Sequence, residues 1–361
     1  MTEIQGAHHP RRENAPEPDE ELLRAADRRL VTVDSLRGIA SLAVCWYHLT
    51  EGYPREGLLK RSGSAGWIGV EIFFVISGFI IPWTLSRSGY RLSDFRVFVW
   101  KRIVRLDPPY LASILLILAI GFMSAVWRGT AGTFSVSIPG LAAHLAYANV
   151  IFGFPWLNPV YWTLAVEFQY YLLIGLAYPW LKRVSAGSVL ATASIVCLAA
   201  VALPHPRYIF HYLPLFYMGV IAFYVRSRRL SAPIAIPLLV CFAAVSLPIV
   251  GFWQAIAGLA TSLVIAFTNF SWRPLVYLGT ISYSLYLLHA PASTVAFSVS
   301  RKLLPPTESS RVAGVFVALL ACIIAAHLFH VFVEHPAQRW SRRIAGRKRV
   351  PEAPSGVASE H

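Results

Sequence analysis

Apolar segments recur along this chain at about 31–50, 66–85, 108–127, 159–180, 188–203, 208–225, 233–250, 252–270, 275–297 and 312–333. Most approach the ~20 residues that an α-helix needs to cross the hydrocarbon of a bilayer. Short polar or proline-containing stretches separate them. The pattern predicts an all-α polytopic membrane protein, a bundle of about ten transmembrane helices. Three regions follow: a disordered tail at 1–30, a membrane domain at 31–340 and a basic disordered tail at 341–361. Pro10, Pro16 and Pro18 lie among charges in the first tail, with a short interfacial helix expected around Glu21–Leu30. That tail lacks the apolar core and cleavage site of a signal peptide. Residues 142–153, in the longest outer loop, read as a re-entrant or amphipathic piece.

Composition agrees with this class. Hydrophobic residues make up 56% of the 361 and charged residues 14%, against about a quarter charged in soluble domains. The formal charge of +14 raises nucleic acid as a partner, and its placement excludes it. With the N-terminus in the cytoplasm, most of the 32 Lys and Arg residues fall in inward-facing segments. That asymmetry follows the positive-inside rule and puts both termini in the cytoplasm, with some attraction to anionic lipid. Cys45, Cys197, Cys241 and Cys322 sit in apolar segments without metal-like spacing. Neither a disulfide framework nor a metal site is indicated.

Ionisable residues inside spans are costly and usually mark a substrate or proton path. Arg37 and His48 share the first span, eleven residues apart, which places them on one helix face about 16 Å apart. A plainer reading has Arg37 snorkelling to the interface with Asp34 beside it. The second span carries Glu71 in Gly69-Val70-Glu71-Ile72-Phe73-Phe74-Val75-Ile76-Ser77-Gly78. Glu71 is expected as a support or substrate residue, and Ser77-Gly78 as a close-packing pair. Before the third span, Lys101, Arg102 and Arg105 cluster. The two arginines are one turn apart, a spacing that suits phosphate and equally suits ordinary charge at the cytoplasmic surface. Glu167 lies deep in the fourth span, after Trp162-Thr163-Leu164-Ala165-Val166. Tyr283 and His289 lie in the ninth. Glu334 ends the last span, expected to be solvated or paired with Arg339. His211, His327 and His330 have no distinguishing context.

Taken in order, these segments resemble the membrane-bound acyltransferase-3 family, which includes bacterial O-acyltransferases of exopolysaccharide, O-antigen, Nod factors and macrolides. The likeness covers about 31–336. Arg37 and His48 match its Arg-x10-His, and Arg102 and Arg105 its Arg-x-x-Arg. The Gly-Val-Glu-Ile-Phe-Phe-Val-Ile-Ser-Gly stretch and the segments ending at Glu167 and His289 complete it. Asp107 departs from the pattern and sets a negative charge beside the proposed phosphate site.

The resemblance implies acetyl-CoA, or another acyl-CoA, as donor substrate and a glycan or lipid-linked glycan hydroxyl as acceptor, in a bacterial inner (plasma) membrane. Arg102, Arg105 and Lys101 would hold the donor phosphates. His48 would act as general base or carry the acyl group covalently. Arg37 and Glu167 would complete the catalytic set, with Glu71, Trp162, Tyr283 and His289 as substrate or support residues. Many relatives carry a further soluble domain after the membrane part; without one, transfer is completed in the membrane or by a separate protein. Two alternatives stay open: a small lipophilic, macrolide-like acceptor, and a proton-coupled secondary transporter, since buried Arg, Glu and His also form proton relays. The two related halves common in transporters are not evident. A purely structural subunit is disfavoured by the same buried charges.

Overall fold

The computed structural model describes residues 18–344 apart from Arg55 and Val184; for 18–30 and Ala186 it describes the backbone alone. Fifteen α-helices follow in order among the described residues: α1 Pro18–Thr50, α2 Leu58–Gly63, α3 Gly69–Arg87, α4 Phe95–Trp127, α5 Ile138–Leu145, α6 Asn149–Phe152, α7 Tyr161–Leu181, α8 Ala186–Ala202, α9 Ile209–Arg226, α10 Ala232–Val250, α11 Phe252–Phe267, α12 Arg273–Thr280, α13 Ser282–Leu303, α14 Glu308–Phe329 and α15 His335–Arg343. No strand occurs among the described residues.

Every predicted apolar segment falls on a helix. Five helical stretches among the described residues are long and apolar enough to cross a membrane, at 58–87, 92–127, 209–226, 232–250 and 308–343. The expected ten is therefore not reached by length and composition alone, for two physical reasons. The apolar parts of α8 and α11 are 16 residues each. The helices α1, α7 and α13 carry Asp34 and Arg37, Glu167 and Gln169, and Ser282, Ser284 and His289, which dilute their hydropathy.

Three boundaries differ from the sequence reading. Residues 18–30 belong to the same helix as the first apolar segment. Residues 142–153 form the end of α5 and the four-residue α6, too short to span. Tyr147 and Gly153 take positive φ there, at 53° and 71°. Ser341–Arg343, assigned to the basic tail, close α15. The remainder of both predicted tails, 1–17 and 345–361, lies outside the described residues.

Two crossings set the frame. In lipid, helices gain little from burying apolar surface against one another, so close backbone approach through small residues takes over. A Cβ on Gly78 of α3 would meet the Phe216 carbonyl oxygen of α9 at 2.0 Å, and one on Gly219 would meet the Val75 carbonyl oxygen at 2.1 Å. The α1–α12 crossing is built the same way: a Cβ on Gly38 would stand 2.1 Å from the Leu275 oxygen, and one on Gly279 1.9 Å from the Asp34 oxygen. Around the first crossing, Phe74, Phe79, Tyr170 and Phe216 are buried, and Tyr170 stacks on Phe216 at 4.1 Å. Backbone cannot yield as a side chain can, so Gly219→Val is expected to exceed the roughly 1–3 kcal/mol cost of ordinary overpacking. Size-exclusion of the detergent-extracted protein should show the folded peak lost. Gly187→Val, where nothing lies within 4 Å, should keep it.

Candidate functional site

The first glycine crossing opens on one side into a cavity of about 740 Å³, between α1, α3, α4, α7, α13 and the α14–α15 junction. Along α3 and its C-cap the lining runs from Val70 to Ser88, eighteen residue steps or about 27 Å of helix. That approaches the depth of a bilayer's hydrocarbon, about 30 Å. One end is basic, lined by Arg87, Arg102, Arg105 and Arg342; Arg37 lines the same cavity from α1. The other end is mostly apolar, with Val70, Phe73, Phe74 and Leu164. Among the described residues, that tip's polar groups are Thr163 and Tyr286, whose hydroxyls bond each other at 2.7 Å.

Arg37, Arg102 and Arg105 were predicted from two separate motifs, and the fold brings them into this one space. None of the three donates a hydrogen bond or forms an ion pair among the described residues. Arg102 lies over the rings of Phe98 and Tyr171, 5.4 Å from each. The sequence reading that put the Arg102–Arg105 pair at the surface is corrected: α4 begins at Phe95, two turns earlier, and the pair lines the cavity. Lys101 points elsewhere, into a neighbouring cavity. Asp107 does not line the cavity either. Its carboxylate accepts a hydrogen bond from Tyr147 at 2.9 Å, so it does not oppose the arginines as expected.

Three carboxylates line the cavity with the guanidinium groups: Asp34, within electrostatic reach of Arg37 and Arg105, Glu167 and Glu334. Glu167 Oε1 accepts from Ser77 at 2.8 Å and from Tyr171. Both donors occupy one oxygen, which fixes the carboxylate plane and leaves Oε2 for the cavity. Ser77 thus does more than permit packing, whereas its neighbour Gly78 is the packing residue. Glu334 is the larger correction. Expected at an interface with solvent or Arg339, it is 2% exposed and held by three donors. Ser284 reaches Oε2 at 2.6 Å, His330 Nδ1 reaches it at 3.0 Å, and Gln338 reaches Oε1 at 2.8 Å. It lines the cavity within electrostatic reach of Arg37 and Arg105. The reason is a π-turn at His330–Glu334. Its added residue rotates the helix, and such bulges often sit at functional sites. Tyr283 lines the cavity while its hydroxyl donates to the Leu106 carbonyl at 2.9 Å, tying α13 to α4.

His48 and His289 lie beyond the apolar tip. Their rings stack at 5.1 Å. His289 is 1% exposed, its Nδ1 bonds the Leu285 carbonyl at 3.1 Å, and its Nε2 has no partner among the described residues. It touches Tyr286 at a ring distance of 6.0 Å, and Tyr286 meets Phe73 edge-on at 5.9 Å. A Cβ on Gly69, next to tip residue Val70, would contact Ala40 and Val44. The tip is thus level with Val44, about one turn or 6 Å below His48. His48 Nδ1 bonds Glu51 Oε2 at 3.3 Å, a partner that sequence reasoning missed although it lies three residues on. Trp162 and Glu71 are not in the cavity. Trp162 packs on Tyr212 at 5.8 Å. Glu71 is buried, and its Oε2 has no partner among the described residues.

A family model described as an acyltransferase domain matches residues 30–330. The chain belongs to the acyltransferase-3 family. Its curated relatives include the peptidoglycan O-acetyltransferase OatA of Listeria monocytogenes serovar 1/2a, 24% identical over 88% of this chain and 57% of the relative. YrhL of Bacillus subtilis (strain 168), whose name carries a provisional peptidoglycan O-acetyltransferase assignment, is 28% identical over 89% of this chain and 57% of the relative. The O-acetyltransferase OatA of Staphylococcus aureus (strain NCTC 8325 / PS 47) is 30% identical over 49% of this chain and 29% of the relative. The chain spans a little over half the length of the first two. No solved structure matches it. All of the cavity arginines but Arg342, and all of the cavity carboxylates but Glu334, fall within the family match.

Proposed function

We propose that this acyltransferase-3 protein is a membrane O-acyltransferase that draws an acyl group, acetyl in the first instance, from acyl-CoA at the basic end of the cavity and delivers it to a glycan hydroxyl at the His48 end. One observation carries the reading: three guanidinium groups without hydrogen-bonding partners among the described residues line a single deep cavity whose far end is apolar. Five arginines line the cavity against three carboxylates, an excess of positive charge, half-buried at Arg37, Arg102 and Arg105, that suits an anion arriving with the substrate. Guanidinium forks match phosphate oxygens. An uncharged thioester arm suits the apolar tip. With the basic end cytoplasmic, as the charge asymmetry predicts, the donor is at hand where the arginines are.

At the far end His48 is the base. Glu51 on Nδ1 leaves Nε2 free, the arrangement in which a carboxylate orients an imidazole for proton abstraction. As Nε2 takes the hydroxyl proton, the acceptor oxygen attacks the thioester carbonyl. The carbon–sulfur bond breaks and the thiolate leaves, recovering a proton from the imidazolium. Glu167, held by Ser77 and Tyr171, orients the donor arm beside Arg102. For the acceptor, peptidoglycan joins exopolysaccharide and lipopolysaccharide, because the Listeria relative is named for it.

Proteoliposomes holding the purified protein test this. With labelled acetyl-CoA on the basic side and a muramoyl or neutral glycan on the other, label should move to the glycan. Solute-driven proton flux without acyl consumption would replace the reading with a transporter.

A further inference from the structure

Away from the acyl cavity, a hollow of about 460 Å³ lies where the ends of α3, α7 and α9 meet the turn before α4. Its lining carries four cations, Arg91, Lys182, Arg183 and Arg229, and no carboxylate among the described residues. None of the four forms an ion pair among the described residues. Cations at helix C-termini commonly offset the negative end of the helix dipole, but here the last carbonyls of α7 have other partners. Those of Tyr178 and Trp180 accept the Lys182 and Arg183 backbone N–H groups at 2.9 and 3.0 Å. That of Leu181 accepts the Tyr224 hydroxyl at 2.8 Å. Arg229 is set in place by α3: its Nη2 donates to the Ser86 hydroxyl at 3.1 Å, and its guanidinium lies 5.3 Å from the centre of the Phe223 ring. The residue before it, Arg228, takes a φ of 56°, uncommon outside glycine, and turns the chain from α9 toward Ser86.

The approach to this hollow is apolar. On α7, Leu176, Trp180 and Arg183 follow at intervals of four and three residues, which puts them on one helix face. Leu176 and Trp180 are exposed and lie in the apolar segment 159–180, so that face meets hydrocarbon and leads up to the cations. Tryptophan at such a level is characteristic of the membrane interface. We infer that the hollow binds the phosphate headgroup of an anionic phospholipid, whose acyl chains lie along Leu176 and Trp180. Basic pockets between spanning helices on the cytoplasmic side suit such headgroups. A free phosphate would use the cations alone and leave the apolar face without a role. The inference is independent of the acyl-transfer reading. A bound headgroup ties the ends of α7 and α9 to the turn between α3 and α4.

The test is native mass spectrometry of the full chain in detergent, with phosphatidylglycerol and phosphatidylcholine of the same acyl chains at equal concentration. Phosphatidylglycerol adducts should exceed phosphatidylcholine adducts about tenfold or more. Each basic residue beside an anionic lipid contributes roughly fivefold, so the double variant Lys182→Gln/Arg183→Gln should bind phosphatidylglycerol about thirtyfold less. Both side chains are exposed, and an unchanged elution volume on size exclusion verifies the fold. Arg207→Gln/Arg311→Gln removes two exposed cations outside the hollow and should bind like the wild type. Equal binding of the two lipids overturns the site. So does wild-type binding by the Lys182/Arg183 variant, or an equal loss in the Arg207/Arg311 control. Inorganic phosphate displacing phosphatidylglycerol at equal concentration overturns it too, and gives the hollow to a free anion. The lipid comparison and the phosphate competition use the wild-type chain, so they decide the matter whether or not the variants fold.

Discussion

Alanine at position 48 is expected to cut acyl transfer by about 10²- to 10⁴-fold, the usual contribution of a positioned general base, without lowering the amount of protein in the membrane. His48 is half-buried and makes a single side-chain hydrogen bond, to the exposed Glu51. Its removal opens little space and strands no buried donor, so stability should hold. His327→Ala is the matched control. That ring also makes one hydrogen bond, to Tyr277 at 3.1 Å, and lies away from the cavity. The measurement is labelled acetyl incorporated into acceptor per mole of protein, with the protein quantified by immunoblot. Wild-type incorporation by the His48 variant would falsify the base assignment and leave His289, with its unpartnered Nε2, as the imidazole to examine next.

The physics of the bilayer explains which parts of this molecule were legible beforehand. Apolar segments announce helices because a spanning backbone must bond within itself, and all ten fell on helices. Arg37, Glu167 and Tyr283 announced themselves because polar groups inside such segments are rarely idle. Tertiary convergence was not legible. Nothing local says that Arg37 on α1 and the Arg102–Arg105 pair on α4 line one space, since that depends on the Gly38–Leu275 and Gly78–Phe216 approaches. Ser77 was read as a spacer because a serine beside a glycine normally is one; only the fold sets it 2.8 Å from Glu167. The tail boundary at 341 failed because a basic amphipathic turn looks like a solvated tail until Ser341 is seen bonding α4.

Glu334 is where the sequence reading departs furthest from the structure, and its loss should be felt in both stability and rate. Glu334→Ala removes the acceptor of Ser284, His330 and Gln338 together. It also withdraws a negative charge within electrostatic reach of Arg37 and Arg105. Breaking a buried, hydrogen-bonded charge set by removing one member costs on the order of 3–5 kcal/mol, so the thermal transition in detergent should drop by several degrees. Glu334→Gln separates the two roles. The amide keeps the volume and retains an oxygen acceptor for Ser284 or His330, so most of the stability should return. The charge does not return, and Arg37 loses one of the two carboxylates within its electrostatic reach. The expected outcome is a near-native transition temperature with kcat still reduced at least tenfold, and rescue only by Glu334→Asp to the extent that the shorter chain reaches the same donors. A glutamine variant with wild-type kcat would reduce Glu334 to a helix-packing polar residue. The π-turn at His330–Glu334 would then have no role beyond joining α14 to α15.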